Sequence, residues 1–276
     1  MAKRTVDGVE IAYEVHGTSG DPVVLVHGSL VDRHTWDLVV PPIAASMEVV
    51  TYDRRGYGES ATVAAPHAVR DDVADLAGLL ESINIFPAHI VAHSYAGAVA
   101  LRLAIDRPEM VRSLTIHEPP FLGLLAEDPA SATEGNRLLS GTRELQRLVR
   151  AGKLALAAEL LVGEFSTEPG AWSRLPPDAR RAFTHSIVRW AEEFDDPEAV
   201  LPDRTACREL MVPVLLTHGS RSPRFLSRIN RALEGLLQNS QVLELPDVGH
   251  VPQLVRPHQY VGILLTFLLE RNVPVS

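Results

Sequence analysis

Short β-rich runs alternate with helical ones along most of this chain, and that alternation restricts the fold more than any other feature of the sequence. The runs are Val23–Val26, Met47–Asp53, Ile90–Ala92, Val111–His117, Val212–His218 and Gln241–Leu245. Helical stretches include His67–Ile83, Tyr95–Asp106, Pro223–Leu237 and Val255–Glu270. Strands interleaved with helices imply a mostly parallel sheet covered on both faces. A hairpin precedes them. Asp7-Gly8 separates two short alternating runs, Lys3–Val6 and Val9–His16, and supplies an antiparallel edge.

The alternation stops once. Between Pro119 and Met211 there is no convincing strand, only helical runs at Ala132–Arg150, Leu154–Phe165 and Pro177–Phe194, punctuated by prolines. The chain therefore divides into a core over 1–120, a helical cap over 121–205 and a second core part over 206–276. Open α/β sheets bind ligands beyond their strand ends, where such a cap would sit. A plain surface excursion is the alternative, but one this long and apolar must pack on something.

Composition narrows the partners. The 276 residues carry a net charge of −9, spread along the chain, which disfavours nucleic acid and anionic membranes. Arg143, Arg147 and Arg150 form a local basic stripe, read as a solvated helix face. No stretch approaches the ~20 apolar residues of a membrane span. The opening Met-Ala-Lys-Arg-Thr-Val-Asp has no apolar run behind its basic residues, so no secretory signal is expected. The single cysteine, Cys207, excludes an intramolecular disulfide and a thiolate zinc site. A cytoplasmic location is expected, with a homodimer allowed.

Chemistry concentrates in Ile90-Val91-Ala92-His93-Ser94-Tyr95-Ala96-Gly97, where a short strand ends at a serine and a helix begins at once. Such a turn strains the serine backbone and tolerates only small residues two before and two after it; Ala92 and Ala96 meet that need. Gly97 lets the helix approach the sheet. The first position of the pattern is alanine where glycine is commoner, and a serine cap between strand and helix is the plainer alternative. Val23-Val24-Leu25-Val26-His27-Gly28-Ser29 ends in a loop whose Ser29 N–H, with that of Tyr95, would form an oxyanion hole. His27 is expected to order that loop. Tyr52-Asp53-Arg54-Arg55-Gly56-Tyr57-Gly58-Glu59-Ser60 lacks the spacing of a phosphate loop and reads as a structural turn with a local charge network. His250, in Asp247-Val248-Gly249-His250, lies on a loop after the last strand and is the candidate base.

Together these segments resemble the α/β-hydrolase superfamily, in particular its small cofactor-free esterases, lactonases and haloperoxidase-like hydrolases, over nearly the whole chain. The resemblance implies an eight-stranded, mostly parallel sheet with the serine after the fifth strand, the histidine after the eighth and the cap after the sixth. One position departs. The family's acid usually follows the seventh strand, where this chain has Gly219-Ser220-Arg221-Ser222. Glu118, at the end of the sixth strand, is the replacement candidate, and zearalenone lactonases look similar in placing a glutamate there. A solvent-facing or arginine-paired glutamate is the alternative, and Asp247 is held in reserve.

The expected activity is therefore cleavage of an apolar carboxylic ester or lactone, a small-molecule substrate, through an acyl-enzyme on Ser94. His250 acts as base and Glu118 as its acid partner, with no metal or organic cofactor. Gly28, Trp36, Phe121 and Trp190 are the candidate substrate contacts, although aromatic residues in such places are more often core. The competing readings are a silent ligand-binding protein on this scaffold, a perhydrolase and a carbon–carbon bond hydrolase. Relatives with an aspartate nucleophile are disfavoured by Ser94.

Overall fold

The computed structural model describes residues 1–62 and 67–270. Strands β1 (Ala2–Val6) and β2 (Val9–His16) form the opening hairpin, with Asp7 and Gly8 both at positive φ as its tight turn requires. β3 (Pro22–Val26), α1 (Val40–Ala44), β4 (Glu48–Tyr52), α2 (Val69–Ile83), β5 (Ala88–His93), α3 (Ala96–Asp106) and β6 (Val111–His117) come after it. Six helices come next: α4 (Leu122–Glu127), α5 (Ala132–Arg150), α6 (Leu154–Glu164), α7 (Ala171–Arg174), α8 (Pro177–Glu193) and α9 (Arg204–Glu209). β7 (Val214–Gly219), α10 (Arg224–Glu234), β8 (Ser240–Leu245), α11 (Pro252–Val255) and α12 (Pro257–Glu270) complete the order.

The eight strands form one sheet in the order β1-β2-β4-β3-β5-β6-β7-β8. Only β1–β2 and β2–β4 pair antiparallel; from β4 onward every pair is parallel. Side-chain alternation sorts the central strands into two cores. Val24 and Val26 of β3, Ile90 and Ala92 of β5 and Leu216 of β7 face the core with α2, α3 and α10. Val23, Leu25, Val91 and Leu215 face the other, against α1 and α12. Covering both faces explains why Val23–Val26, Ile90–Ala92 and Val214–Leu216 are apolar throughout.

Local chemistry sets several boundaries that the periodicity leaves open. α2 stops at Asn84, whose φ of 55° gives a left-handed cap. The last helical stretch is two helices, because Pro257 opens α12 and cannot continue α11. α10 ends at Glu234, three residues short of the expected Leu237. Between β6 and β7 the fold is helical among the described residues, and it holds a small core of its own. Leu145 and Val149 of α5, Ala157, Ala158 and Leu161 of α6, and Ile187, Trp190 and Ala191 of α8 bury against one another. Each fully buried large aliphatic contributes ~1.5–3 kcal/mol, enough to hold such an excursion together as a layer. No described helix is long and apolar enough to cross a membrane.

Candidate active site

Three parallel strands deliver their ends to one rim. His93 of β5 pairs in register with His117 of β6, and His117 with Thr217 of β7. One residue further, Ser94 and Glu118 both take the left-handed backbone, at φ 56° and 50°. Non-glycine residues rarely adopt this conformation, so the surroundings must enforce it. The Ser94 N–H donates to His117 O (2.8 Å) and the Glu118 N–H to Thr217 O (3.1 Å), so each turn is locked by the neighbouring strand. After Ser94 the chain enters α3, rich in alanine and leucine and a strong helix former. A Cβ on Gly97 would lie 2.6 Å from Ile116 Cγ2 and 2.9 Å from Pro119 Cβ, so only glycine lets α3 seat here.

Glu118 is wholly buried and meets His250 Nδ1 through Oε2 at 2.6 Å. Its other oxygen, Oε1, accepts from the Gly219 N–H at 2.8 Å. The end of β7 therefore supplies a backbone donor to the acid where the family's usual pattern supplies the acid itself. Burial opposes ionisation of Glu118, but the imidazoles of His117 and His250 and the Ser222 hydroxyl hold its carboxyl down at about 2. An ionised acceptor on Nδ1 fixes the His250 tautomer and leaves Nε2 as the nitrogen available to accept a proton. His93 Nε2 donates to the carbonyl of His250 at 2.7 Å, tying that loop to the strand that carries Ser94.

The loop after β3 approaches the serine closely: a Cβ on Gly28 would lie 3.1 Å from Ser94 Cβ and 2.9 Å from His93 Nδ1. His27 orders this loop as expected, its Nδ1 donating to Gly28 O at 2.7 Å and its Nε2 accepting from the Arg54 N–H at 3.0 Å. Burial and the nearby Arg54 push His27 down to about 3, so it stays neutral. The Ser29 hydroxyl donates to Glu193 Oε2 at 2.5 Å. Glu193 Oε1 in turn accepts from Arg54 at 2.6 Å, and Arg54 reaches Asp72 Oδ2 at 3.0 Å. His67 Nε2 meets the same Asp72 oxygen at 2.7 Å. His67, Asp72 and Glu193 bring ligand atoms within 4.8 Å of one another, the spacing a metal could use. The Arg54 guanidinium already bonds both carboxylates, so the protein itself supplies the positive charge there.

Ser29, Ser94 and His250 open onto one cavity of about 420 Å³. Its walls are largely apolar and come from the helical excursion (Leu161, Phe165, Phe183, Trp190, Phe194) and from Leu30, Leu254 and Val255. Phe165 packs on the His250 ring, with the two centroids 4.7 Å apart. Trp190 lies where substrate contact was expected. Trp36 and Phe121 do not. Trp36 is fully buried in the core under α1 and α12, and Phe121 is buried in the core on the opposite face of the sheet. In both, a large apolar ring gains more from complete burial than from a cavity wall. The Tyr95 ring also turns away from the cavity, packing 4.7 Å from the Arg54 guanidinium.

The charged loop at 52–60 is a turn, as its glycines suggest, but its network is not only local. Asp53 binds Arg33 and Arg55 binds Asp75, whereas Arg54 crosses to Glu193, 139 positions away. Sequence reasoning missed Arg54, Glu193, Asp72 and Phe165. Only a feature such as two adjacent arginines with one destined for burial could have flagged the first of these.

Residues 23–263 match the alpha/beta hydrolase family, and this chain belongs to it. The chain is 31% identical over 144 residues to the dihydrolipoyllysine-residue acetyltransferase component of an acetoin cleaving system from Cupriavidus necator, a match covering 52% of this chain and 38% of the relative. It spans less than two-thirds of that longer protein. It is 26% identical to the 2-hydroxymuconate semialdehyde hydrolase of Pseudomonas sp. (strain CF600), over 92% of this chain and 89% of that one. The crystal structure of the enol-lactonase from Burkholderia xenovorans LB400 superposes with a TM-score of 0.76 at 19% identity, covering 97% of this chain and 100% of that chain. That likeness is one of fold.

Proposed function

We propose that this chain hydrolyses apolar carboxylic esters or lactones through an acyl-enzyme on Ser94. The observation that carries the reading is the 2.6 Å contact of Glu118 with His250 Nδ1, beside a cavity that both His250 and Ser94 line. His250 Nε2 takes the hydroxyl proton as Ser94 Oγ attacks the carbonyl carbon, and Glu118 stabilises the imidazolium so formed. The Ser29 and Tyr95 N–H groups bind the oxyanion. His250 then returns the proton to the leaving oxygen, and the same base activates the water that frees the acid. The apolar walls favour a substrate with an apolar acyl or alcohol part.

The test is labelling by a fluorophosphonate together with a screen of p-nitrophenyl esters and lactones. A hydroxymuconate semialdehyde belongs in the same screen because of the Pseudomonas relative. Wild type should label and turn over. Ser94→Ala should lose both, with kcat falling on the order of 10⁴–10⁶-fold. A wild-type protein that neither labels nor hydrolyses any member of the panel would sink the reading.

A further inference from the structure

The oxyanion loop is gripped from the core side at successive carbonyls. Arg54 lies fully buried between the rings of Tyr57 and Tyr95, 4.8 and 4.7 Å from their centroids. Its Nε donates to His27 O at 3.0 Å and a terminal nitrogen to Gly28 O at 3.2 Å. The Gly28 carbonyl also accepts from His27 Nδ1, whose tautomer is set by the Arg54 N–H on Nε2. A trans peptide is planar, with its C=O and N–H pointing in opposite directions. Fixing the Gly28 carbonyl on Arg54 and His27 therefore also fixes the direction of the Ser29 N–H at the other end of that peptide, and Ser29 lines the cavity.

Glu193 completes the grip from outside the sheet. It stands in the last turn of α8, and its two carboxylate oxygens divide between two elements: Oε1 takes Arg54, Oε2 takes the Ser29 hydroxyl. One buried side chain of the helical excursion thus holds both the residue whose N–H is needed and the arginine that orients it. We infer that Glu193 is a positioning residue for the oxyanion hole, so that the seating of α8 sets the aim of the Ser29 N–H. The inference rests on the ester or lactone reading. It goes beyond it by making the helical layer part of the catalytic geometry as well as the wall of the cavity. A purely structural ion pair would hold the layer down without touching the developing charge.

Glu193→Gln keeps the shape and withdraws the charge that holds Arg54. With p-nitrophenyl butyrate, kcat should fall about 10- to 100-fold while KM stays within about threefold, because only transition-state binding is lost. Phenylboronic acid, which adds to Ser94 as a tetrahedral anion, should bind weaker by a similar factor. Ser29→Ala keeps the N–H and removes only the hydroxyl link to Glu193, so it should lower kcat by about three- to tenfold, less than losing the donor itself. It serves as the deciding variant if Glu193→Gln does not fold. An unchanged kcat in the folded variant, or a fall in kcat with undiminished boronate affinity, overturns the inference while the hydrolase reading stands. A wild-type enzyme with no turnover and no phosphonate labelling overturns both.

Discussion

The ends of β5 and β6 are built alike and used differently. Each strand finishes in a histidine succeeded by a residue in the left-handed conformation, and the two histidines are register partners with rings stacked 5.9 Å apart. At β5 the strained residue is small, stands at the cavity and leads straight into a helix. At β6 it is a long acid, completely buried, and the two prolines after it keep the chain from forming a helix at once. The same backbone device thus lifts one group to the cavity and the other to His250. Strain at a strand end specifies direction. The side chain and the residues next to it specify the task.

Glu118→Gln is the strongest way to break this comparison, since it leaves the β6 turn intact and removes only its charge. We expect kcat to drop by about 10³–10⁴-fold with little change in KM, because the imidazolium loses its counter-charge and its tautomer. A loss below tenfold would mean that another acid serves His250.

Acid sharpens the comparison next. His93 and His117 both titrate below the ordinary 6.5, His117 at about 4, mainly because burial disfavours their charged forms. Each binds a proton in the unfolded chain that the folded one refuses, so their contribution is intact above pH 6.5 and lost as pH falls toward 4. His27, held at about 3, behaves the same way, so the fold keeps three imidazoles from protonating, and each proton refused costs ~1.4 kcal/mol of stability per pH unit. Glu118, held near 2 against 4.5 when unfolded, contributes stability that is present above pH 4.5 and lost as pH falls through about 2. Urea titrations from pH 7 to 4 measure the slope, and His117→Asn should lower it by about one proton, ~1.4 kcal/mol per pH unit. A flat profile would show that these rings are not kept neutral by burial.

The smallest effect concerns the seam where the two ends touch. Gly97→Ala forces a methyl against Ile116 and Pro119 and should destabilise the fold by ~1–3 kcal/mol. Denaturant midpoints read this directly, and an unchanged midpoint would show that the seam can give.

Much of this was legible from sequence because it is local. The Ser94 elbow, the hairpin at Asp7-Gly8 and the glutamate after β6 each arise from a few adjacent residues and the steric demands of a turn. Ser94, Glu118 and His250 could be placed at one rim because chain order and strand order are linked in a parallel sheet. Arg54 and Glu193 were invisible for the opposite reason. Their meeting depends on where α8 settles, which no spacing rule encodes, and a buried charge in a strand-end loop looks the same on paper as an exposed one. Trp36 and Phe121 failed similarly, because aromatic composition tells nothing of which side of the sheet a ring will occupy.

Leu161 and Trp190 belong at once to the small core of the helical layer and to the wall of the cavity. They also face a second hollow of about 210 Å³ behind that wall. Widening substrate range at these two positions would therefore loosen the roof itself and merge the two chambers. For the proposed hydrolase, adaptability and robustness are drawn from the same side chains, and a lineage exploring new substrates here would need compensating changes deeper in the layer.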